Sequence, residues 1–230
     1  MNKNLNLINS LKSKENNSVI KLYKKIGLQK LGLMTSQAWY DDPKMLLFIL
    51  ARYKFVSKMF SGLKNVLEVG CGDAFASRIV KQTVANLDVS DHDSDLISEA
   101  KSRDMKKWKM EYLIHNMIFR STKKKYDGIY LLDVLEHIDK NKEKKFMKNI
   151  CRSLKKNGKV IIGMPSKNSQ KFASKLSKLG HVNCKTEQDL KKFLKIFFND
   201  VYVFSMNDEV VHTGFYPMSN YFLAICNTKK

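Results

Sequence analysis

The order of apolar and polar positions predicts a chain that begins with helices and continues as alternating strands and helices. Apolar residues recur at helical spacing between residues 18 and 31, and Gly32 is predicted to end that helix. Residues 35–42 are predicted to form a polar and aromatic loop. Pro43 stands where the first turn of a helix tolerates proline, so a second helix is predicted through about Phe60.

From Asn65 onward, short apolar runs alternate with helical patterns. The predicted strands are residues 66–69, 84–89, 111–114, 128–132, 160–163, 201–205 and 221–226. The helices predicted between them are residues 75–81, 93–101, 142–154, 167–176 and 187–197. This alternation is typical of a mostly parallel sheet covered on both faces. We therefore predict a three-layer α/β/α sandwich with a seven-stranded sheet, whose C-terminal hairpin supplies one antiparallel strand.

Composition supports one domain of this kind. The chain has 230 residues, of which 43% are hydrophobic, and this is enough to build a core without a metal or a disulfide. The four cysteines form no C-x-x-C pair, so we expect free thiols and predict no metal ligands. No signal peptide is visible, and no apolar run approaches the roughly 18 residues that a membrane helix needs. We expect a cytoplasmic protein without membrane insertion.

The net charge of +20 raises the question of nucleic acid as a partner. Only five of the 42 basic residues are arginine, the residue that best makes bidentate contacts with phosphates and bases. Because the lysines are spread along the chain, they are better explained as solvated helix faces. Nucleic acid is therefore disfavoured, and an anionic small molecule remains compatible with the charge.

The strongest chemical signal lies in residues 66–73, V-L-E-V-G-C-G-D, where a strand runs into a G-x-G turn that opens a helix. Glycines let the backbone turn tightly and approach a ligand closely. Asp88 is predicted to end the next strand, where a carboxylate can accept hydrogen bonds from both hydroxyls of a ribose. Phe75 stands where the G-x-G-x-x-G pattern has its third glycine, so the dinucleotide fingerprint fails.

These residues resemble the motifs of the class I, Rossmann-like methyltransferases that depend on S-adenosylmethionine (SAM). E-V-G-C-G-D is similar to the first motif of that family, and Asp88 matches the acidic residue after its second strand. Residues 126–138, Y-D-G-I-Y-L-L-D-V-L-E-H-I, resemble its fourth strand, and residues 157–165, N-G-K-V-I-I-G-M-P, resemble its fifth. The motifs occur in the family's order and cover about residues 45–205.

The resemblance implies SAM as cofactor, S-adenosylhomocysteine as product, and a role for each matching position. Glu68, Gly70 and Gly72 would border the methionine part of SAM, and Asp88 would hold the ribose. Asn116 stands where the family usually has an acidic residue beside the adenine. The complete set of cofactor-side candidates is Glu68, Gly70, Cys71, Gly72, Asp88, Val89, Asn116, Met117 and Leu132.

Catalysis of methyl transfer to oxygen or to a protonated nitrogen also needs a base. We predict His181, His212 and Asp133 as catalytic residues on the acceptor side, because they fall on loops or strand ends at the carboxyl edge of the sheet. The substrate-side candidates are Trp39, Tyr40, Asn183, Asn207 and Glu209. The stretch 207–215 has a homodimer interface as its alternative use.

The N-terminal segment often closes over the cofactor in this superfamily, so residues 37–42 are a candidate lid. This hypothesis divides the chain into an N-terminal extension and cofactor lid, residues 1–44, and a methyltransferase domain, residues 45–230. The alternative is that Trp39 and Tyr40 merely pack the start of the following helix.

Three functions compete for this sequence. The leading hypothesis is a methyltransferase acting on an O or N of a small metabolite, such as a sugar nucleotide or a surface-glycan precursor. The alternative is an RNA methyltransferase, for which residues 106–109, K-K-W-K, are the local hint. The third is a SAM-binding domain without activity, which the intact glycine turn argues against.

Overall fold

The computed structural model describes residues 14–230, without the side chains of residues 14, 15 and 176. The chain divides into two compact units, Met1–Leu31 and Gly32–Lys230. In the first unit the helix α1 (Lys14–Ile26) ends at Gly27, which adopts φ +71° and donates its N–H to the Tyr23 carbonyl. The predicted helix is therefore real but stops earlier than Gly32, because Gly27 provides a left-handed C-terminal cap. Residues 1–13, part of the predicted extension, lie outside the described residues.

The second unit opens with two consecutive helices, α2 (Leu33–Asp41) and α3 (Pro43–Met59). The prediction of a loop at residues 35–42 is wrong, because a tertiary contact fixes the start of α2: the backbone N–H and hydroxyl of Thr35 both donate to the Asp73 carboxylate. Pro43 does open α3, as predicted. The Asp42 side chain caps α3 by accepting a hydrogen bond from the Lys44 N–H.

Eight strands form one sheet in the order β3-β2-β1-β4-β5-β8-β6-β7. Their bounds are β1 (Asn65–Val69), β2 (Asn86–Asp91), β3 (Glu111–Ile114), β4 (Tyr126–Leu132), β5 (Leu154–Pro165), β6 (Phe198–Asn207), β7 (Val210–His212) and β8 (Tyr221–Lys229). Strands β1 to β5 pair in parallel, whereas β8 is antiparallel to both β5 and β6. The short edge strand β7, which pairs antiparallel with β6, was not predicted.

Helices cover both faces of the sheet, which confirms the predicted three-layer fold. The remaining α-helices are α4 (Ser77–Lys81), α5 (Ser94–Ser102), α6 (Glu143–Ser153), α7 (Lys175–Gly180) and α8 (Glu187–Leu194). Residues of α3, α4 and α5 share one buried cluster with one side of the sheet, while α6 and α8 contribute to a second cluster on the other side. Short 3₁₀ helices lie at Lys106–Trp108, Leu135–His137, Lys167–Phe172 and Tyr216–Met218. In residues 14–230 no helix combines the length and apolarity that crossing a bilayer requires.

A buried polar network fixes the segment that follows α7. The Lys185 ammonium lies 2.7 Å from the Glu143 carboxylate, and the Asn183 amide nitrogen donates to the same oxygen. The Asn183 backbone N–H donates to the Glu136 carbonyl. Because all of these side chains are buried, each needs its partners to offset the loss of water. The network therefore anchors the loop that carries His181.

We expect Lys185→Met to lower the free energy of unfolding by about 3–5 kcal/mol, because it leaves the Glu143 carboxylate buried without its cation. Urea denaturation measures this change. The matched control is Lys142→Met, which breaks an ion pair with Asp139 on the surface and should cost at most about 1 kcal/mol. Equal losses in the two variants would show that the buried pair does not anchor this loop.

Candidate active site

The glycine turn after β1 is held against β2 by backbone hydrogen bonds. The N–H groups of Gly70 and Cys71 donate to the Ser90 carbonyl at 2.8 and 3.0 Å. Gly70 and Gly72 adopt φ +74° and +52°, a conformation that favours glycine. A Cβ atom on Gly70 would also overlap the Val134 side chain. The turn thus brings bare backbone to the carboxyl edge of the sheet, as the sequence predicted.

Asp91 is the carboxylate that meets this turn. It ends β2, and its Oδ2 atom accepts a hydrogen bond from the Gly72 N–H at 3.0 Å. Its Oδ1 atom accepts from the N–H of Asp93, the residue that caps α5. A carboxylate oxygen can accept more than one hydrogen bond, so both oxygens retain capacity for the hydroxyls of a ligand. Asp91 therefore provides a carboxylate next to the glycine backbone, and the sequence did not predict it.

Asp88 does not lie where the sequence analysis placed it. The strand runs three residues beyond Asp88, so the prediction that Asp88 ends it is wrong. Because side chains alternate along a strand, residues three apart lie on opposite faces. The Asp88 carboxylate instead accepts hydrogen bonds from the Lys124 ammonium at 2.8 Å and from the Tyr126 hydroxyl at 2.8 Å. Asp88 and the glycine turn are not brought together.

Glu68 lies fully buried beneath the turn. Its two oxygens accept hydrogen bonds from the Tyr53 and Tyr130 hydroxyls, each at 2.7 Å. Burial raises the pKa of Glu68, and the hydrogen bonds from the two tyrosines oppose that rise. The carboxylate is thus committed to the protein, and it supports the turn from below.

The four apolar cofactor-side candidates are all buried in the two hydrophobic clusters: Met117 in one, and Cys71, Val89 and Leu132 in the other. Of these, Cys71 lies at the glycine turn and Leu132 at the end of β4. The Asn116 side-chain oxygen accepts from the Ile118 N–H, which stabilises the local turn. The sequence could not separate these cases, since strand ends and core positions share an apolar pattern.

The start of α2 lies over the glycine turn. Thr35 donates two hydrogen bonds to Asp73, the residue directly after Gly72. A Cβ atom on Gly72 would come within 2.6 Å of the Met34 sulfur, so that side chain approaches the turn closely. Trp39 and Tyr40 project into solvent from the same helix, with Tyr40 89% exposed. The structure places the predicted lid residues on a helix anchored at the turn.

A second polar group lies at the end of β4. Asp133 adopts φ +57°, a strained conformation for a residue with a side chain. Its carboxylate lies 2.6 Å from the Arg52 guanidinium, which stacks 3.9 Å above the Tyr221 ring. Such strain is tolerated where the surroundings impose it, and it is common at functional sites. Arg52 comes from α3, and no sequence pattern linked it to Asp133.

His181 reaches the same edge from the end of α7. Its ring lies 5.1 Å from that of His137, and the carboxylate of Glu136 lies beside His137. Burial lowers the pKa of His181, and the neighbouring His137 lowers it further. The predicted catalytic residues Asp133 and His181 thus lie at one edge, together with Arg52, Glu136 and His137, which were not among the predicted catalytic residues.

Several acceptor-side candidates lie elsewhere. His212 is on β7, where one ring nitrogen bonds to the Asn207 side chain and the other accepts from the Gly214 N–H. These contacts stabilise the hairpin and leave neither nitrogen free, so the structure gives His212 and Asn207 a local structural role. Glu209 lies in the exposed turn between β6 and β7. Asn183 is buried in the network with Glu143 and Lys185, where its side chain already has protein partners.

Comparison with known proteins agrees with this geometry. The family model described as "Methyltransferase domain" matches residues 43–197, more than half of the chain. The chain therefore belongs to the methyltransferase domain family. No curated protein matches the sequence significantly.

Solved structures show the same fold at low sequence identity. N-methyltransferase NodS from Bradyrhizobium japonicum WM9, in complex with S-adenosyl-L-homocysteine, aligns with a TM-score of 0.64 and 16% identity, covering 90% of this chain and 97% of NodS. The DhpI–SAH complex aligns with a TM-score of 0.62 and 13% identity, covering 84% and 90% of the two chains. The plantazolicin methyltransferase BpumL in complex with SAH aligns with a TM-score of 0.60 and 14% identity, covering 84% of this chain and 93% of BpumL.

The family match confirms the predicted class: the protein is a methyltransferase. The residues fit SAM as its cofactor, because the turn exposes backbone at two glycines and Asp91 offers carboxylate oxygens beside it.

We expect Tyr53→Phe to lower the free energy of unfolding by about 1–3 kcal/mol, since it leaves one oxygen of the buried Glu68 without a donor. Urea denaturation measures the change. Tyr202→Phe is the matched control: that side chain is 58% exposed, and its loss should change stability by at most about 0.5 kcal/mol. An unchanged stability in Tyr53→Phe would remove the proposed support beneath the turn.

Proposed function

We propose that this methyltransferase modifies an oxygen or nitrogen atom of a small metabolite at the carboxyl edge of its sheet. The observation that carries the proposal is the hydrogen bond between Asp91 and the Gly72 N–H, which places a carboxylate beside an exposed glycine backbone. In this proposal Gly70 and Gly72 border the methionine part of SAM. Asp91, in place of Asp88, accepts the ribose hydroxyls.

The cluster at the end of β4 is proposed as the acceptor side. Bound SAM supplies an electrophilic methyl carbon on a sulfonium. Transfer of this methyl group leaves S-adenosylhomocysteine, whose sulfur is neutral. An acceptor that carries a proton must release it when the new bond to carbon forms. Among the groups at this edge, Asp133 and His181 are proposed to take the proton, and Arg52 orients the Asp133 carboxylate.

The start of α2 is proposed as a lid over the cofactor. Its hydrogen bonds to Asp73 attach it to the glycine turn, and Met34 approaches Gly72. Trp39 and Tyr40 are then exposed aromatic surfaces available to an acceptor. The proposed lid consists of the helix α2 (Leu33–Asp41) alone.

Two lines support a small acceptor. The similar structures include proteins named as an N-methyltransferase and as a plantazolicin methyltransferase, the latter also solved with a monoazolic desmethylPZN analogue. The net charge of +20 favours an anionic acceptor, and a sugar nucleotide or a surface-glycan precursor has that property. A cytoplasmic location suits such a substrate and remains part of the proposal.

We expect Asp91→Asn to weaken SAM binding by about 10- to 150-fold, because it removes charge-assisted hydrogen bonds of about 1.5–3 kcal/mol to the ribose. Isothermal titration calorimetry measures the affinity. Asp88→Asn is the matched control, an equally conservative change in the same strand, and it should alter SAM affinity by less than about threefold. The reverse ranking of the two variants would return the ribose role to Asp88.

We expect methyl-labelled SAM, incubated with the protein and an extract of the source cells, to label molecules below about 1 kDa. Ultrafiltration separates them from macromolecules, and RNase and protease treatment identifies the labelled class. Heat-inactivated protein gives the background, because it transfers nothing. Label confined to an RNase-sensitive macromolecular fraction would contradict a small acceptor and favour the RNA methyltransferase alternative.

A further inference from the structure

Glu136 is a buried carboxylate without a partner. Its side chain is 0% exposed, and neither oxygen has a hydrogen-bond donor among the described residues. Burying an unpaired carboxylate is costly, so such groups are normally paired, protonated or bound to a metal. The charged neighbours of Glu136 are Asp133 and Arg52, and the Arg52 guanidinium is already paired with Asp133 at 2.6 Å. The two unpartnered oxygens therefore make Glu136 a candidate metal ligand.

Two histidines present ring nitrogens to the same corner. The His137 Nδ1 atom lies 2.9 Å from the Gly180 carbonyl oxygen, and the His181 Nδ1 atom lies 2.8 Å from the Gln170 side-chain oxygen. A carbonyl oxygen only accepts hydrogen bonds, so each Nδ1 carries a proton. Nε2 is therefore the ring nitrogen that is left to bind a metal ion. Metal-binding histidines characteristically donate their second nitrogen to an oxygen in this way.

The orientation of Gln170 is itself fixed. Its amide nitrogen donates to the Ser166 carbonyl at 3.3 Å, which turns its oxygen towards His181. The loop that carries His181 is joined to Glu136 as well, because the Asn183 N–H donates to the Glu136 carbonyl at 2.9 Å. The two segments that supply the three side chains are thus tied together by hydrogen bonds outside the cluster.

We propose that Glu136, His137 and His181 bind one divalent transition-metal ion. One ligand atom from each residue lies within 4.8 Å of the others, and the Glu136 Oε1 atom lies 4.0 Å from the His137 Nε2 atom. Bonds of about 2.0–2.2 Å to a shared ion bring ligand atoms to roughly 3–3.5 Å, so small side-chain rotations close the site. Two imidazoles and one carboxylate suit Zn²⁺ and similar ions better than Mg²⁺ or Ca²⁺.

Three protein ligands leave at least one coordination position open. Catalytic zinc sites with two histidines and a glutamate have this composition. This role rests on the proposed function. The ion would bind an acceptor oxygen and favour its deprotonated form, Asp133 would take the proton, and His181 would serve as a ligand and not as the base. The site also explains why the sequence showed no metal signal: the cysteines take no part, and His181 lies 44 positions along the chain from His137.

The test is binding of Zn²⁺ and Co²⁺ to protein first stripped with a chelator, followed by calorimetry and by the visible absorption of Co²⁺. We expect saturation at one ion per chain and a rise in Tm with added metal. Glu136→Gln and His181→Ala should each weaken binding by at least 100-fold. His212→Ala should bind as the wild type does, because both nitrogens of that ring already have partners.

Glu136→Gln also separates the proposal from a merely structural role. Because this change removes a buried charge and keeps the volume, the metal-free variant should melt at or above the Tm of the metal-free wild type. It should lose the rise in Tm that metal produces. The metal site would be overturned if the wild type showed no saturable metal binding. It would also be overturned if Glu136→Gln and His181→Ala both bound metal with undiminished affinity. SAM affinity, measured on the same samples, reports separately on the proposed function.

Discussion

The hydrogen bond from the Gly72 N–H to Asp91 is the interaction on which the rest of the site depends. It joins the turn after β1 to the last residue of β2, and the Ser90 carbonyl fixes the same turn through Gly70 and Cys71. Two adjacent parallel strands therefore end in one rigid corner, with backbone from one and a carboxylate from the other. Open α/β sheets bind ligands at their carboxyl edge for this geometric reason.

Helix α3 connects that corner to the proposed acceptor side. Its consecutive residues Arg52 and Tyr53 point to different parts of the sheet edge: Tyr53 supports Glu68 beneath the glycine turn, and Arg52 binds Asp133 at the end of β4. Neighbouring residues on a helix differ by about 100° in direction, so one helix can serve two carboxylates. The two halves of the site are thereby held at a fixed separation by rigid elements.

Much of the fold was predictable because it follows from short-range patterns. Alternating apolar runs and helical periodicity located seven of the eight strands and the two-sided sheet. The pattern was weak where tertiary contacts determine the secondary structure. An example is α2, whose start is stabilised by Asp73 from a turn that is distant in the sequence. The edge strand β7 is only three residues long, too short for a pattern to register.

The site was harder to predict than the fold. The sequence placed the glycine turn at Gly70 and Gly72, where the structure has it. It also predicted that Asp88 ends β2, but the strand continues for three residues to Asp91, which lies on the opposite face of the sheet from Asp88. A signal was present, since Asp91 directly precedes the helix cap formed by Asp93. Arg52 and the pairing of His137 with His181 carried no local signal, because chain segments far apart in sequence bring them together.

Binding of the ribose by Asp91 is tested most directly by a crystal structure of the protein with S-adenosylhomocysteine. We predict that the ribose hydroxyls lie within hydrogen-bond distance of both Asp91 oxygens, and that the amino-acid part of the ligand lies along the backbone of residues 70–72. A nucleoside bound away from that corner, or a ribose held by Asp88 on the other face of the sheet, would contradict it.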